Sequence, residues 1–127
     1  MSDERDSAGP QPLRSRTKAY ALRAIKLVTT LPQTSVAQVL GKQLLHLGTS
    51  VGANYREGAR ARSNAEMIAK FGICIQELEE SAYWLELLGE SKIISETLLA
   101  PLLDEPNQLI AIFVASVKRI SQVKPSR

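Results

Sequence analysis

Few side chains in this chain are of a type that does chemistry. His46 is the single histidine and Cys74 the single cysteine. His46 has no Cys, Asp or Glu at ligand spacing, and a metal site needs three or four convergent ligands. Cys74 lies between Ile73 and Ile75, a setting that suits a small packing residue. Glu79, Glu86 and Glu90 recur on one helical face, but di-iron bundles add Glu-x-x-His on two helices, a motif missing here. Thr49-Ser50-Val51-Gly52 lacks the glycine spacing and the lysine of a phosphate loop. The expectation is a protein without catalytic, cofactor-binding or metal-binding residues.

One segment does carry chemistry. Asn54-Tyr55-Arg56-Glu57-Gly58-Ala59-Arg60-Ala61-Arg62-Ser63 places Arg56, Arg60 and Arg62 within seven residues. Such a cluster can grip phosphates. It can equally be a charged helix end, with Glu57 pairing with Arg60 at i+3. Asn54 falls on an otherwise apolar seam and must find a hydrogen-bond partner there.

Charge is unevenly spread. Residues 14–62 hold nine bases and one acid, and residues 63–105 hold two bases and nine acids, within a net charge of +3. Either oppositely charged helices face each other in a bundle, or one basic face meets an anionic partner. In the second case the candidate contacts are Arg16, Arg23, Lys26, Arg56, Arg60 and Arg62.

The elements that must position these residues are helices, since no segment alternates like a strand. The chain has 127 residues, 44% hydrophobic and 23% charged, which suits one domain with a real core. Residues 1–13 read as a disordered tail, with Gly9, Pro10 and Pro12, and residues 14–124 as the domain. The tail has three acids and no apolar stretch, unlike a signal peptide. The longest apolar run, Leu109 to Val117, is about half of a membrane span. A reducing cytoplasm is the expected compartment.

A first helix is expected from about Ser15 to Leu31, with Leu22, Ile25, Val28 and Thr29 inward and Arg16, Arg23 and Lys26 on another face. Pro32 ends it. A second starts at Ser35, with Gln38 at capping-box spacing, and reaches about Ala61. It carries an apolar stripe from Leu40 to Gly58 and, beside it, Gly41, Gly48 and Gly52, which suggest close approach of another backbone. A third is capped by Ser63 with Glu66. Ile68, Phe71, Ile75, Leu78, Ala82, Leu85 and Gly89 form its inner stripe. Ile73, Glu77, Glu80, Trp84 and Leu87 form a second stripe. That stripe either lies flat on a monomer or meets another subunit, with basic partners for Glu77 and Glu80 drawn from the first two helices. A fourth starts at Ser95, and Pro101 and Pro106 predict a short segment near 95–104, then a kink or break. Short connections predict an antiparallel, up-down-up-down four-helix bundle.

The stretch Gly48-Thr49-Ser50-Val51-Gly52-Ala53-Asn54-Tyr55-Arg56-Glu57-Gly58, then Arg60-Ala61-Arg62-Ser63, resembles the signature of a bacterial four-helix-bundle family, the 23S rRNA-intervening sequence proteins. Glu77, Glu80 and Tyr83-Trp84-Leu85-Glu86-Leu87-Leu88 also match. The resemblance marks Ser50, Asn54, Glu57, Ser63, Glu66 and Glu77 as motif positions. It implies an all-helical antiparallel bundle and a homo-oligomer, since relatives are described as homopentamers. A similar bundle, the accessory protein of diversity-generating retroelements, binds nucleic acid and a reverse transcriptase. RNA or DNA and a reverse-transcriptase-like protein are therefore the implied partners. The chain departs from that pattern at His46-Leu47, where many relatives have Arg-Ser, and at Gln76, a frequent lysine.

Overall fold

The computed structural model describes residues 12–122. Four helices follow one another: α1 (Leu13–Thr29), α2 (Ser35–Ala59), α3 (Asn64–Glu90) and α4 (Glu96–Ser121). No strand occurs among the described residues. The proposed tail lies almost wholly outside them, and Leu13 already belongs to α1 and packs against the core.

Each start has a local cause. Thr34, not Ser35, caps α2 by accepting from the Ala37 N–H at 3.2 Å, while Gln38 reaches back to the Pro32 carbonyl. Ser63 caps α3 by accepting from the Glu66 N–H. Ser95 caps α4.

Successive helices pack side by side, and α1 closes the ring against α4 more lightly. The register is readable at each seam. A Cβ on Gly48 would come within 2.8 Å of the Ala24 Cβ, and Gly52 faces Thr17. The glycine stripe of α2 therefore receives α1. Gly58 faces Phe71, and Ser50 and Asn54 reach Glu77 across the α2–α3 seam. Phe71 and Phe113 meet edge-on at 5.3 Å, and Gly89 faces Leu99, which aligns α3 with α4.

The core runs along the axis through Tyr20, Ala24, Leu44, Val51, Phe71, Leu78, Leu85, Leu88, Leu109 and Phe113. Tyr20 crosses it diagonally to share a 2.7 Å hydrogen bond with Ser81.

Two expectations need correction. The inner stripe of α1 is Thr17, Tyr20 and Ala24. Leu22 is 55% and Ile25 40% exposed, and Thr29 is also exposed. Small residues face α2 because its glycines admit close approach, so side-chain size misled the reading. The second correction is α4, which runs unbroken through Pro101 and Pro106. Each interior proline costs about 3 kcal/mol. Burial of Leu99, Leu102, Leu109 and Phe113, and of Pro106 itself, offsets this at about 1.5–3 kcal/mol per large apolar side chain. Unbroken, α4 is long and apolar enough by length and composition to cross a membrane, although its longest continuous apolar run is only about half of a span. Of that apolar window, 28% is buried inside the bundle.

Candidate nucleic-acid interface

Because the helices alternate in direction, the start of α1, the end of α2, the start of α3 and the end of α4 share one pole. Thr17 opposite Gly52, Glu57 paired with Lys70, and Phe71 against Phe113 fix this level by level. The pole gathers Arg14, Arg60, Arg62, Lys118 and Arg119, all exposed, and the half-buried Arg56. None of the six forms an ion pair with a described residue. Among the described residues Glu57 and Glu66 are the acids nearby, and Glu57 is already bound to Lys70 at 2.9 Å. That pairing pushes the Lys70 ammonium pKa up, first through the hydrogen bond to Glu57 and then through its charge. Arg60, the expected partner of Glu57, pairs with no acid among the described residues.

The other candidate bases lie elsewhere. Arg16 donates to Glu105 through Nη2 at 2.9 Å and Nε at 3.3 Å, and to Gln108 at 3.0 Å. This two-pronged contact ties α1 to α4 and uses the guanidinium inside the fold. Arg23 and Lys26 are exposed further along α1, toward the opposite pole. The structure therefore divides the six candidate bases into a cluster at the pole (Arg56, Arg60, Arg62), an internal tie (Arg16) and an exposed pair further along α1 (Arg23, Lys26). Sequence reading missed Arg14, Lys118 and Arg119. Their signal was topological: in an up-down-up-down bundle, the ends of the second and fourth helices coincide.

Of the six motif residues, Ser50, Asn54, Glu57 and Glu77 make contacts across the α2–α3 seam, and Ser63 and Glu66 form the cap of α3. Ser50 Oγ donates to Glu77 at 2.6 Å and Asn54 Nδ2 donates to it at 3.0 Å. Asn54 thus finds its partner, and Glu77 finds its own inside the chain instead of across a subunit contact. The candidate interface residues on α3 differ in exposure. Ile73 and Glu80 are exposed, whereas Trp84 and Leu87 are half-buried. Trp84 packs against the core and meets Tyr83 edge-on at 5.4 Å, and Tyr83 is the more exposed of the two. An open groove of about 530 Å3 lies beside them, lined by Gln76, Glu79, Glu80, Tyr83 and Trp84.

The single cysteine and the single histidine sit in different settings. Burial pushes the Cys74 thiol up to about 12, helped by the charge of nearby Glu77. His46 is exposed on α2. No group of three His, Cys, Asp or Glu among the described residues could hold a metal.

Fold and site together define an antiparallel four-helix bundle with a basic pole and an internally braced α2–α3 seam. The model of the 23S rRNA-intervening sequence protein family matches residues 13–115, and the chain belongs to that family. A crystal structure of a protein of unknown function from the S23 ribosomal protein family of Bacteroides thetaiotaomicron superposes with a TM-score of 0.79 at 30% identity, covering 84% of this chain and 99% of that one. No curated protein matches the chain.

Proposed function

We propose that this protein is a non-catalytic, homo-oligomeric bundle of the cytoplasm that binds RNA or DNA through its basic pole. The observation that carries the reading is the gathering of Arg14, Arg56, Arg60, Arg62, Lys118 and Arg119 at one end of the bundle without acidic partners among the described residues. Neighbouring helices in a bundle pack about 8–10 Å apart, so four helix ends present one compact patch to a phosphate backbone. Contacts of this kind bind phosphates without reading sequence, and their affinity falls steeply with salt. The test is filter binding to structured RNA and to duplex DNA at about 50 and 200 mM salt, the range over which phosphate contacts weaken. Expected is binding at the lower salt that is lost at the higher. No binding at the lower salt overturns the proposal.

A second reading, a protein-interaction scaffold, is favoured by the exposed apolar residues Val36, Val39 and Tyr83. It predicts partner binding that survives the removal of Arg60 and Arg62. A reverse-transcriptase-like protein is the partner the family resemblance suggests for it.

A further inference from the structure

Two faces of the bundle complement each other and lie on different sides of it. The first spans α1 and α2. On α1, Lys18, Leu22, Ile25 and Thr29 follow one another at four, three and four residues, so they share a stripe. That stripe points away from α4, which Arg16 approaches from the other edge. On α2, Lys42, Leu45 and Thr49 form a stripe beside the glycines that receive α1, on the side away from Ser50 and Asn54, which face α3. Together they make a face of exposed lysines around the exposed Leu22 and Ile25. The bases of this face have no acidic partner among the described residues.

The second face is the outside of α3. Gln76, Glu79, Glu80, Tyr83 and Trp84 line its open groove, and Leu87 continues the strip. Tyr83 is 55% exposed, and Glu79 and Glu80 form no ion pair with a described residue. Each strip spans eleven residue steps, from Lys18 to Thr29 and from Gln76 to Leu87, or about 16 Å of helix. One face is basic with aliphatic residues at its centre. The other is acidic with an aromatic pair at its centre. Lysine ammonium groups are held by carboxylates and by the faces of tyrosine and tryptophan rings.

We infer that the groove on α3 docks the Lys18–Leu22–Ile25–Lys42 face of a second copy of this chain. The inference deepens the homo-oligomer part of the proposed function and rests on it. The contact joins two different faces, so each copy keeps one of each to offer. It propagates head to tail and closes into a ring when the rotation between copies allows. The basic pole is not used, which leaves Arg60, Arg62, Lys118 and Arg119 accessible in the assembly.

Charge reversal tests this directly, read as mass by light scattering after size exclusion at micromolar protein. The substituted positions are exposed, so unchanged circular dichroism and melting temperature verify the fold. The wild-type chain should run at a multiple of 13.9 kDa. Glu79→Lys with Glu80→Lys should drop the mass to that of one chain, and Lys18→Glu with Lys42→Glu should do the same. An equimolar mixture of the two variants should regain a multimeric mass, and all four reversals in a single chain should restore the wild-type mass. A multimeric wild type whose mass neither pair of reversals changes overturns the face assignment and leaves the homo-oligomer standing. Folded variants that dissociate singly but recover neither in the mixture nor in the fourfold variant overturn it too. A wild-type mass of 13.9 kDa overturns both and leaves the groove to a basic partner protein.

Discussion

Ser50 and Glu77 are joined across the α2–α3 seam by a 2.6 Å hydrogen bond, with Asn54 donating to the other carboxylate oxygen. Two donors from successive turns of one helix therefore converge on one acid of the next. This sets the register: Glu57 meets Lys70 two turns further on, and Val51 accepts from the Cys74 thiol between them. Hydrogen bonds to a charged group contribute about 1.5–3 kcal/mol each, less where water reaches them. Glu77→Ala should lower stability by about 2 kcal/mol by urea denaturation, and Ser50→Ala by less. In a double-mutant cycle the two changes should be non-additive by at least about 0.5 kcal/mol. Additive losses would mean that the Ser50 bond does not couple to Glu77, which would then act through Asn54 and its own methylenes.

Two glycines should respond oppositely to the same substitution. At Gly48 a new Cβ would stand 2.8 Å from the Ala24 Cβ, which has no flexible end to move aside. Overpacking of this kind costs about 1–3 kcal/mol, against a helix-propensity gain of about 1. Gly48→Ala should therefore be neutral to destabilising by about 2 kcal/mol. Gly72 has nothing within 4 Å of the added atom, so Gly72→Ala should raise stability by up to about 1 kcal/mol. Thermal melts of the two variants side by side check both signs. A more stable Gly48→Ala protein would show that α1 and α2 separate easily.

Alkaline pH should destabilise this protein. Burial pushes the Tyr20 hydroxyl up to about 12 from 10.0, against a lowering hydrogen bond from Ser81 and with a smaller push from Glu105. Cys74 is raised from 9.0 to about 12, again by burial first. Both groups are neutral when protonated, so the unfolded chain releases these protons at lower pH than the folded one. The stabilisation is whole below pH 9 and declines as pH rises from there to about 12. Urea midpoints between pH 8 and 11 should fall, and Tyr20→Phe and Cys74→Ala should each flatten the decline. A flat profile for the wild type would contradict the burial of both groups.

Sequence patterning disclosed most of the fold because its local signals agreed. Ser63 sits three residues before Glu66, Gly41, Gly48 and Gly52 of α2 follow one another at seven and four residues, and Phe71, Leu78 and Leu85 keep helical spacing. The errors have physical causes. On α1 the inward residues are a threonine, a tyrosine and an alanine, so hydrophobic size pointed to the wrong side. In α4 the prolines are local breakers overruled by tertiary burial, which no local rule contains. The candidate site was half legible. Arg56, Arg60 and Arg62 are neighbours in the chain, whereas Lys118 and Arg119 reach their pole only through the antiparallel return of α4.

Arg16 and Arg60 look alike in sequence and should behave differently. Arg16 and Glu105 are each about 15% exposed at the side chain, at 14% and 15%, and removing the arginine strands a shielded carboxylate. Arg16→Ala should therefore destabilise the fold by about 2 kcal/mol, below the 3–5 of a fully buried pair. Arg60 and Arg62 are exposed and have no acidic partner among the described residues, so their joint replacement by alanine should change stability by no more than about 0.5 kcal/mol. The same double variant should lower the slope of log affinity against log salt by about 2, since each phosphate contact contributes about 0.9 on duplex DNA. Urea denaturation and a salt titration of duplex DNA binding on the same preparations read both effects. A stable Arg16→Ala protein with weakened binding, beside an Arg60→Ala and Arg62→Ala protein that binds normally, would move the nucleic-acid surface from the pole to the α1–α4 edge.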